Sequence, residues 1–194
     1  MEAAMKELCS SRWLCLSLPA IASTLGLMLL GATVMDVLAD HAIGTEAQLA
    51  WNARLLKVDE ALARGDLAAA ELQWREAYAA ALKSRHWQGM VAAGDTYRVL
   101  GARAGFRAAS VAKARQAYLT ALFRARNEGS LEGVLRTAER FAELGDREVV
   151  EQCIRVARRV AAESKDPRAE EHVRAFTERW AASAQEIDDR GLTP

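Results

Sequence analysis

The sequence predicts an all-α fold preceded by one membrane-spanning helix, and three observations carry that expectation. The first is composition. Apolar residues make up 51% of the chain and aromatics 6%, and only three prolines interrupt a background rich in Ala, Leu, Arg and Glu, all strong helix formers. The second is an uncharged run over residues 14–35. The third is a set of glycines, Gly65, Gly105 and Gly145, spaced forty residues apart. After residue 40 there is no run of Val, Ile, Thr and aromatic residues bounded by turn dipeptides, as strands would require.

Residues 1–13 form a short N-terminal segment ahead of the apolar run. Nothing between Arg12 and Asp36 is charged, and Leu14 to Met35 is 22 residues long. As a helix at ~1.5 Å per residue it reaches about 33 Å, enough for a hydrocarbon core of about 30 Å. Trp13 falls at the headgroup boundary that amphipathic rings prefer. Pro19 lies near the first turn, where its missing N–H costs least. Ala22 and Gly26 make a small-xxx-small pair through which another transmembrane helix can approach. A cleaved signal peptide is the alternative, with a small-residue site after Ala39. Signal peptides, however, have apolar cores of about 7–15 residues, and an uncleaved anchor fits the longer run.

Lys6 and Arg12 precede the span, whereas Asp36 and Asp40 follow it and no Lys or Arg appears until Arg54. The positive-inside bias therefore places the N-terminus in the cytoplasm and the bulk of the chain across the membrane. In a bacterium this is an inner-membrane protein with a periplasmic domain.

A linker over 36–44 leads to a helical domain over 45–186, followed by a flexible tail over 187–194. Thr45 with Gln48 forms a capping-box pattern that opens a helix reaching Arg64, and Gly65-Asp66 closes it and caps the next. The second helix runs from Leu67 to about Lys83 and the third from about Trp87 to Leu100. The Gly101–Gly105 segment then turns into a fourth helix ending near Arg126. Ser130 caps a fifth helix that reaches Leu144. Gly145-Asp146 repeats the first turn and opens a sixth helix ending near Ser164. Asp166-Pro167 opens the last by cap and N1 proline, reaching about Ala184.

The forty-residue offset extends beyond the glycines. Arg75, Arg115 and Arg155 align, as do Ala77, Ala117 and Ala157, and Ala81, Ala121 and Ala161. The first two copies also share Tyr78/Tyr118 and Leu82/Leu122. Small residues at helical spacing let neighbouring helices pack closely, and larger ones fill the gaps between stacked hairpins.

On these residues the chain resembles the tetratricopeptide repeat family. Ala93-Gly94-Asp95-Thr96-Tyr97 stands in the first helix of the second copy, with Ala114, Tyr118 and Ala121 at the small-aromatic-small spacing in its second helix. The first copy has Trp74, Tyr78 and Ala81 at the latter places. The period of about 40 departs from the family's 34, and Ile154 and Arg158 replace the small and aromatic residues in the third copy. The resemblance, over roughly 50–185, implies an α-hairpin solenoid whose first helices line a concave groove for peptides or partner proteins. Gln88, Val91, Asp95 and Arg98 would lie near that surface.

Net charge is zero, from 26 basic and 26 acidic residues, which argues against a dedicated nucleic-acid binder. The stretch from Thr96 to Asn127 nevertheless contains no acid. It carries Arg98 together with a run read as a basic patch, Arg103, Arg107, Lys113, Arg115, Arg124 and Arg126. These form either a solvated face or a docking patch for an acidic partner or anionic lipid headgroups.

Cys9, Cys15 and Cys153 include no Cys-x-x-Cys pair, and Cys153 reads as a small buried hydrophobe. His41, His86 and His172 lack ligand spacing, and neither a phosphate loop nor a nucleophile elbow occurs. No catalytic residue, metal or cofactor is expected. Trp51, Trp74, Trp87 and Trp180 are expected to fill gaps between helices; for Trp51 and Trp180, near the ends of the array, the alternative is exposed aromatic surface that meets another subunit. The function expected is that of a membrane-anchored interaction scaffold, an accessory or assembly subunit that binds other membrane protein subunits. The alternative is a tethered periplasmic chaperone or peptide-binding module.

Overall fold

The computed structural model describes residues 50–189, and all of its regular structure is helical. The span over 14–35 with Trp13, Ala22 and Gly26, the linker over 36–44 and the Thr45/Gln48 cap lie outside the described residues. So do residues 190–194 of the expected tail. No helix among the described residues is long and apolar enough to cross a membrane. Helix α1 is described over 50–63, and six more follow: α2 (Leu67–Ser84), α3 (Trp87–Ala104), α4 (Arg107–Asn127), α5 (Leu131–Glu143), α6 (Arg147–Ser164) and α7 (Pro167–Asp189). The last continues past Ala184, where the sequence had suggested an end.

The turn chemistry explains the spacing of the glycines. Gly65, Gly105 and Gly145 all adopt left-handed backbone, with φ of 75°, 81° and 78°. Behind each glycine the next N–H reaches back five residues: Asp66 to the Ala61 carbonyl at 2.9 Å, Phe106 to Gly101 at 2.9 Å, and Asp146 to Phe141 at 3.0 Å. This is the Schellman closure, which satisfies a helix-terminal carbonyl and needs a residue free of Cβ strain at the left-handed position. The α2–α3 and α6–α7 turns use Arg85 and Lys165 at positive φ instead.

Two expected caps behave differently. Asp66 accepts from the Ala69 N–H at 2.9 Å, as a cap should. Asp146 makes no such bond. Its carboxylate instead accepts from Arg115 Nε at 2.6 Å, a partner on α4 that outcompetes the local N–H with a full charge. Ser130 does cap α5, accepting from the Gly133 N–H at 3.1 Å.

Short connections make successive helices antiparallel, and specific contacts fix their register. A Cβ on Gly94 would stand 2.5 Å from the Tyr118 ring, and one on Gly101 would stand 2.1 Å from Ser110 Cβ. Both pairs lie across the α3–α4 hairpin. A Cβ on Gly133 of α5 would likewise stand 2.6 Å from Ala125 Cβ of α4. At these glycines a side chain of the neighbouring helix sits directly against the backbone. Gly101 in particular lies inside α3. The segment expected to turn over Gly101–Gly105 stays helical to Ala104, because Ala102, Arg103 and Ala104 favour helix and Gly101 is needed on the packed face.

Helix α5 also touches both α3 and α7, and α4 touches α6, so the hairpins stack in two layers. The core runs between the layers. The aligned alanines at 77, 117, 157, 81, 121 and 161 are all buried, and so is the Trp74/Ala114/Ile154 column. Trp74 Nε1 donates to the Ala93 carbonyl at 2.8 Å, so the gap-filling ring also ties α2 to α3. The Leu82/Leu122 column does not hold: Leu122 packs on the core while Leu82 is 41% exposed.

Candidate functional site

The first helix of each hairpin contributes to one cleft of about 950 Å³. Trp87, Val91 and Ala92 of α3, Leu131 and Leu135 of α5, and Ala169 of α7 give it an apolar floor, with Trp51 of α1 at one end. Its rim carries Asp95, Glu132, Arg136, Glu139 and His172. Of the four residues expected near a concave surface, Gln88, Val91 and Asp95 line this cleft, while Arg98 lines an adjoining depression of about 620 Å³ with Asp95, Arg107, Arg140 and Glu143.

Two polar atoms in the cleft wall have no hydrogen-bond partner among the described residues, Gln88 Oε1 and Trp51 Nε1. A buried acceptor without a donor costs free energy of the order of 1–3 kcal/mol. Gln88 Oε1 is itself closed off from solvent, so the Gln88 side chain lines the cleft with an unsatisfied acceptor turned into the wall.

The cleft is backed by a charged network that joins three helices. The Tyr118 hydroxyl donates to Asp95 Oδ1 at 2.7 Å. Arg140 Nε donates to the same carboxylate at 2.9 Å. Arg98 and Arg140 both donate to Glu143, the former at 2.6 Å. Burial would raise the Glu143 carboxyl, but Arg98 and Arg140 outweigh it and hold the group below its ordinary value. Tyr118 moves the other way, because burial and the bond to Asp95 both favour its protonated phenol over the weaker pull of Arg98. Asp95 thus faces the cleft on one side and anchors α3 to α4 and α5 on the other.

The run of basic residues does not form one patch. Arg107 opens α4 and Arg126 nearly ends it, and a helix of 21 residues separates its ends by about 30 Å. Arg103 and Arg107 lie at one end. At the other, Arg124 turns inward, its Nη1 donating to the Ala81 and His86 carbonyls at 2.9 and 3.1 Å and its Nη2 to Leu82 at 2.9 Å. It closes the C-terminus of α2 from the next hairpin. Burial lowers the pKa of this guanidinium and Glu128 partly restores it. Arg115 is taken by Asp146, and the Lys113 ammonium lies 5.1 Å from the centre of the Tyr78 ring.

Trp51 is only 7% exposed, so its surface is not free to meet another subunit in the way its position near the array's end suggested. Trp180 is half-buried against the core. Cys153 is a free, fully buried thiol whose pKa burial pushes up to about 12, and it packs as an apolar residue. No group of three or more His, Cys, Asp and Glu among the described residues could hold a metal ion.

Several residues of the cleft and of the network behind it have no signature in the sequence. Arg140 and Glu143 look like ordinary solvated charges on an amphipathic helix, and only the fold brings them to Asp95. The period of α5 could have separated Leu131 and Leu135 from the buried Val134, Ala138 and Phe141 as a second apolar stripe. No family model matches the chain, and no curated protein or solved structure matches it.

Proposed function

We propose that this chain is an interaction scaffold whose cleft holds a segment of a partner protein, and that its stacked hairpins form a solenoid of the tetratricopeptide kind. The cleft is the observation that carries the reading. It is large, apolar on its floor and polar at its rim, and binding surfaces of this kind bury an anchor in the centre and keep charge at the edge. Stacked hairpins supply such a surface from successive repeats, each adding one helix.

The uncharged 14–35 segment supports placing the scaffold on a membrane as an accessory or assembly subunit of a larger complex, with the N-terminus in the cytoplasm and the helical domain periplasmic in a bacterium. Tethering raises the concentration of the cleft around other membrane proteins, which are its expected partners. No chemistry beyond binding is assigned to the chain, and no cofactor. A tethered chaperone or peptide-binding module is the second reading, favoured by the apolar floor of Val91, Leu131 and Leu135, which suits the exposed apolar side chains of a client segment.

The test is extraction of the full chain in mild detergent followed by sizing of the native particle. A scaffold is recovered in an assembly well above the ~21 kDa of the chain, and Val91→Arg with Leu135→Arg releases it. Recovery of the unaltered chain only as a monomer would sink the reading. Replacing 14–35 by an unrelated span separates the two versions: a subunit loses its assembly, whereas a tethered module keeps its binding.

A further inference from the structure

The C-terminal ends of α2 and α4 come together beside a group of cations and apolar side chains that nothing in the core requires. Arg124 joins the two ends through the Leu82 carbonyl. Around this joint Phe123 is 58% exposed, Leu82 and Leu119 are each 41% exposed, and Lys83, Arg85 and Arg126 are exposed as well. The Arg126 guanidinium lies 5.4 Å from the centre of the Phe123 ring. Between Ala77 and Asn127 the sequence contains one acid, Asp95, against nine Lys and Arg. That acid is engaged away from this end, by Tyr118 and Arg140. Glu128 follows this stretch directly and acts on Arg124.

Trp51 of α1 packs near this end. The Trp51 indole lies where a Cβ on Gly89 would meet it at 3.1 Å, and the same Cβ would meet Ala81 at 3.0 Å. The first described turn of α1 therefore lies beside the last turn of α2 and the first turn of α3, at the end that carries Lys83 and Arg85.

We propose that this end, Leu82, Lys83, Arg85, Leu119, Phe123 and Arg126, rests on an anionic bilayer surface. The composition fits that occupant. Apolar and aromatic side chains enter the boundary between headgroups and acyl chains, while Lys and Arg reach the phosphates around them on long flexible stems. An acidic protein would have to supply an apolar pocket for Phe123 and Leu119 as well as carboxylates for the cations, whereas an anionic bilayer presents both everywhere on its surface. The inference rests on the membrane reading above only for what brings the domain to the lipid.

The experiment uses the full chain in lipid nanodiscs of phosphatidylcholine, with or without phosphatidylglycerol, and follows hydroxyl-radical oxidation of Phe123 and Leu119 and amine labelling of Lys83. Slower modification of all three in the anionic discs, reversed by high salt and by K83E/R85E/R126E, is the expected result. Equal rates in the two discs overturn the proposal. Protection in native membranes but not in anionic discs also overturns it, in favour of an acidic protein. If the chain fails to enter discs at all, the transmembrane reading fails, and flotation with preformed vesicles of the same two compositions decides the surface. Binding to the anionic vesicles, weakened more than about tenfold by the triple reversal, supports it, and no flotation at low salt overturns it.

Discussion

Arg124 donates to the Ala81 carbonyl at 2.9 Å across 43 residues of sequence, and so one hairpin finishes the helix of another. The last carbonyls of a helix have no partner within it, and here a guanidinium with several N–H groups serves two of them, on Ala81 and Leu82, together with the His86 carbonyl just ahead of α3. Arg124→Ala is expected to cost about 1–2 kcal/mol in urea unfolding, discounted from the usual worth of charged hydrogen bonds because the group is part-exposed. Arg124→Lys is expected to recover less than half of that, since an ammonium lacks the planar fork. A lysine variant as stable as the parent would show that charge alone accounts for the effect.

Gly101→Ala is expected to destabilise, against the usual gain of about 0.5–1 kcal/mol for this change within a helix. Ser110 is fully buried where the new methyl would go, so overpacking of about 1–3 kcal/mol dominates. Thermal unfolding of G101A and of G101A/S110G makes the check. The double variant should regain most of the loss.

Tyr118→Phe removes the hydroxyl from Asp95 and is expected to cost about 1–2 kcal/mol. Asp95→Asn disturbs the same network, so the two losses should not add, with a coupling of at least about 0.5 kcal/mol in a double-mutant cycle. Strict additivity would mean that the network contributes nothing beyond its separate bonds.

Glu143 makes stability depend on acid pH. Its folded pKa lies below the unfolded value of about 4.3, so the folded state holds its proton less tightly. The stabilisation is therefore complete above the unfolded value and disappears as pH falls through the lower, folded one. Glu143→Gln should be less stable than the parent at neutral pH and should converge with it below about pH 4. A gap that persists unchanged into acid would assign the effect to packing.

Lys165 holds a left-handed backbone with φ of 55°, a conformation in which a side chain costs roughly 1–2 kcal/mol. Lys165→Gly is expected to stabilise by about 0.5–1 kcal/mol once the greater freedom of unfolded glycine is subtracted. The gain should appear as a higher denaturant midpoint at constant slope.

The helices and their turns were legible in the sequence because the information is local. A glycine that must adopt positive φ, a Ser130 that caps and a Pro167 at N1 each act within a few residues. Other features were hidden because they depend on what lies across a hairpin. Gly101 reads as a breaker until Ser110 is placed against it. Asp146 reads as a cap until Arg115 reaches it. The acid-free stretch from Thr96 to Asn127 reads as one patch, yet α4 carries its cations to opposite ends and Arg124 into the interior. Three of the four residues assigned to a concave surface line the cleft, while Arg98 turns to Glu143 because a carboxylate stands within reach.

The turns at Gly65, Gly105 and Gly145 have one more consequence. Since each ends its helix with the same backbone conformation and the same five-residue bond, their flanks are interchangeable parts. A chain cut after Gly65 and rejoined at Phe106 would present the Phe106 N–H to the Ala61 carbonyl, where Asp66 now sits. Duplication or loss of a single forty-residue unit would thus lengthen or shorten the binding surface by one helix without inventing a new corner, leaving array length open to change in descent.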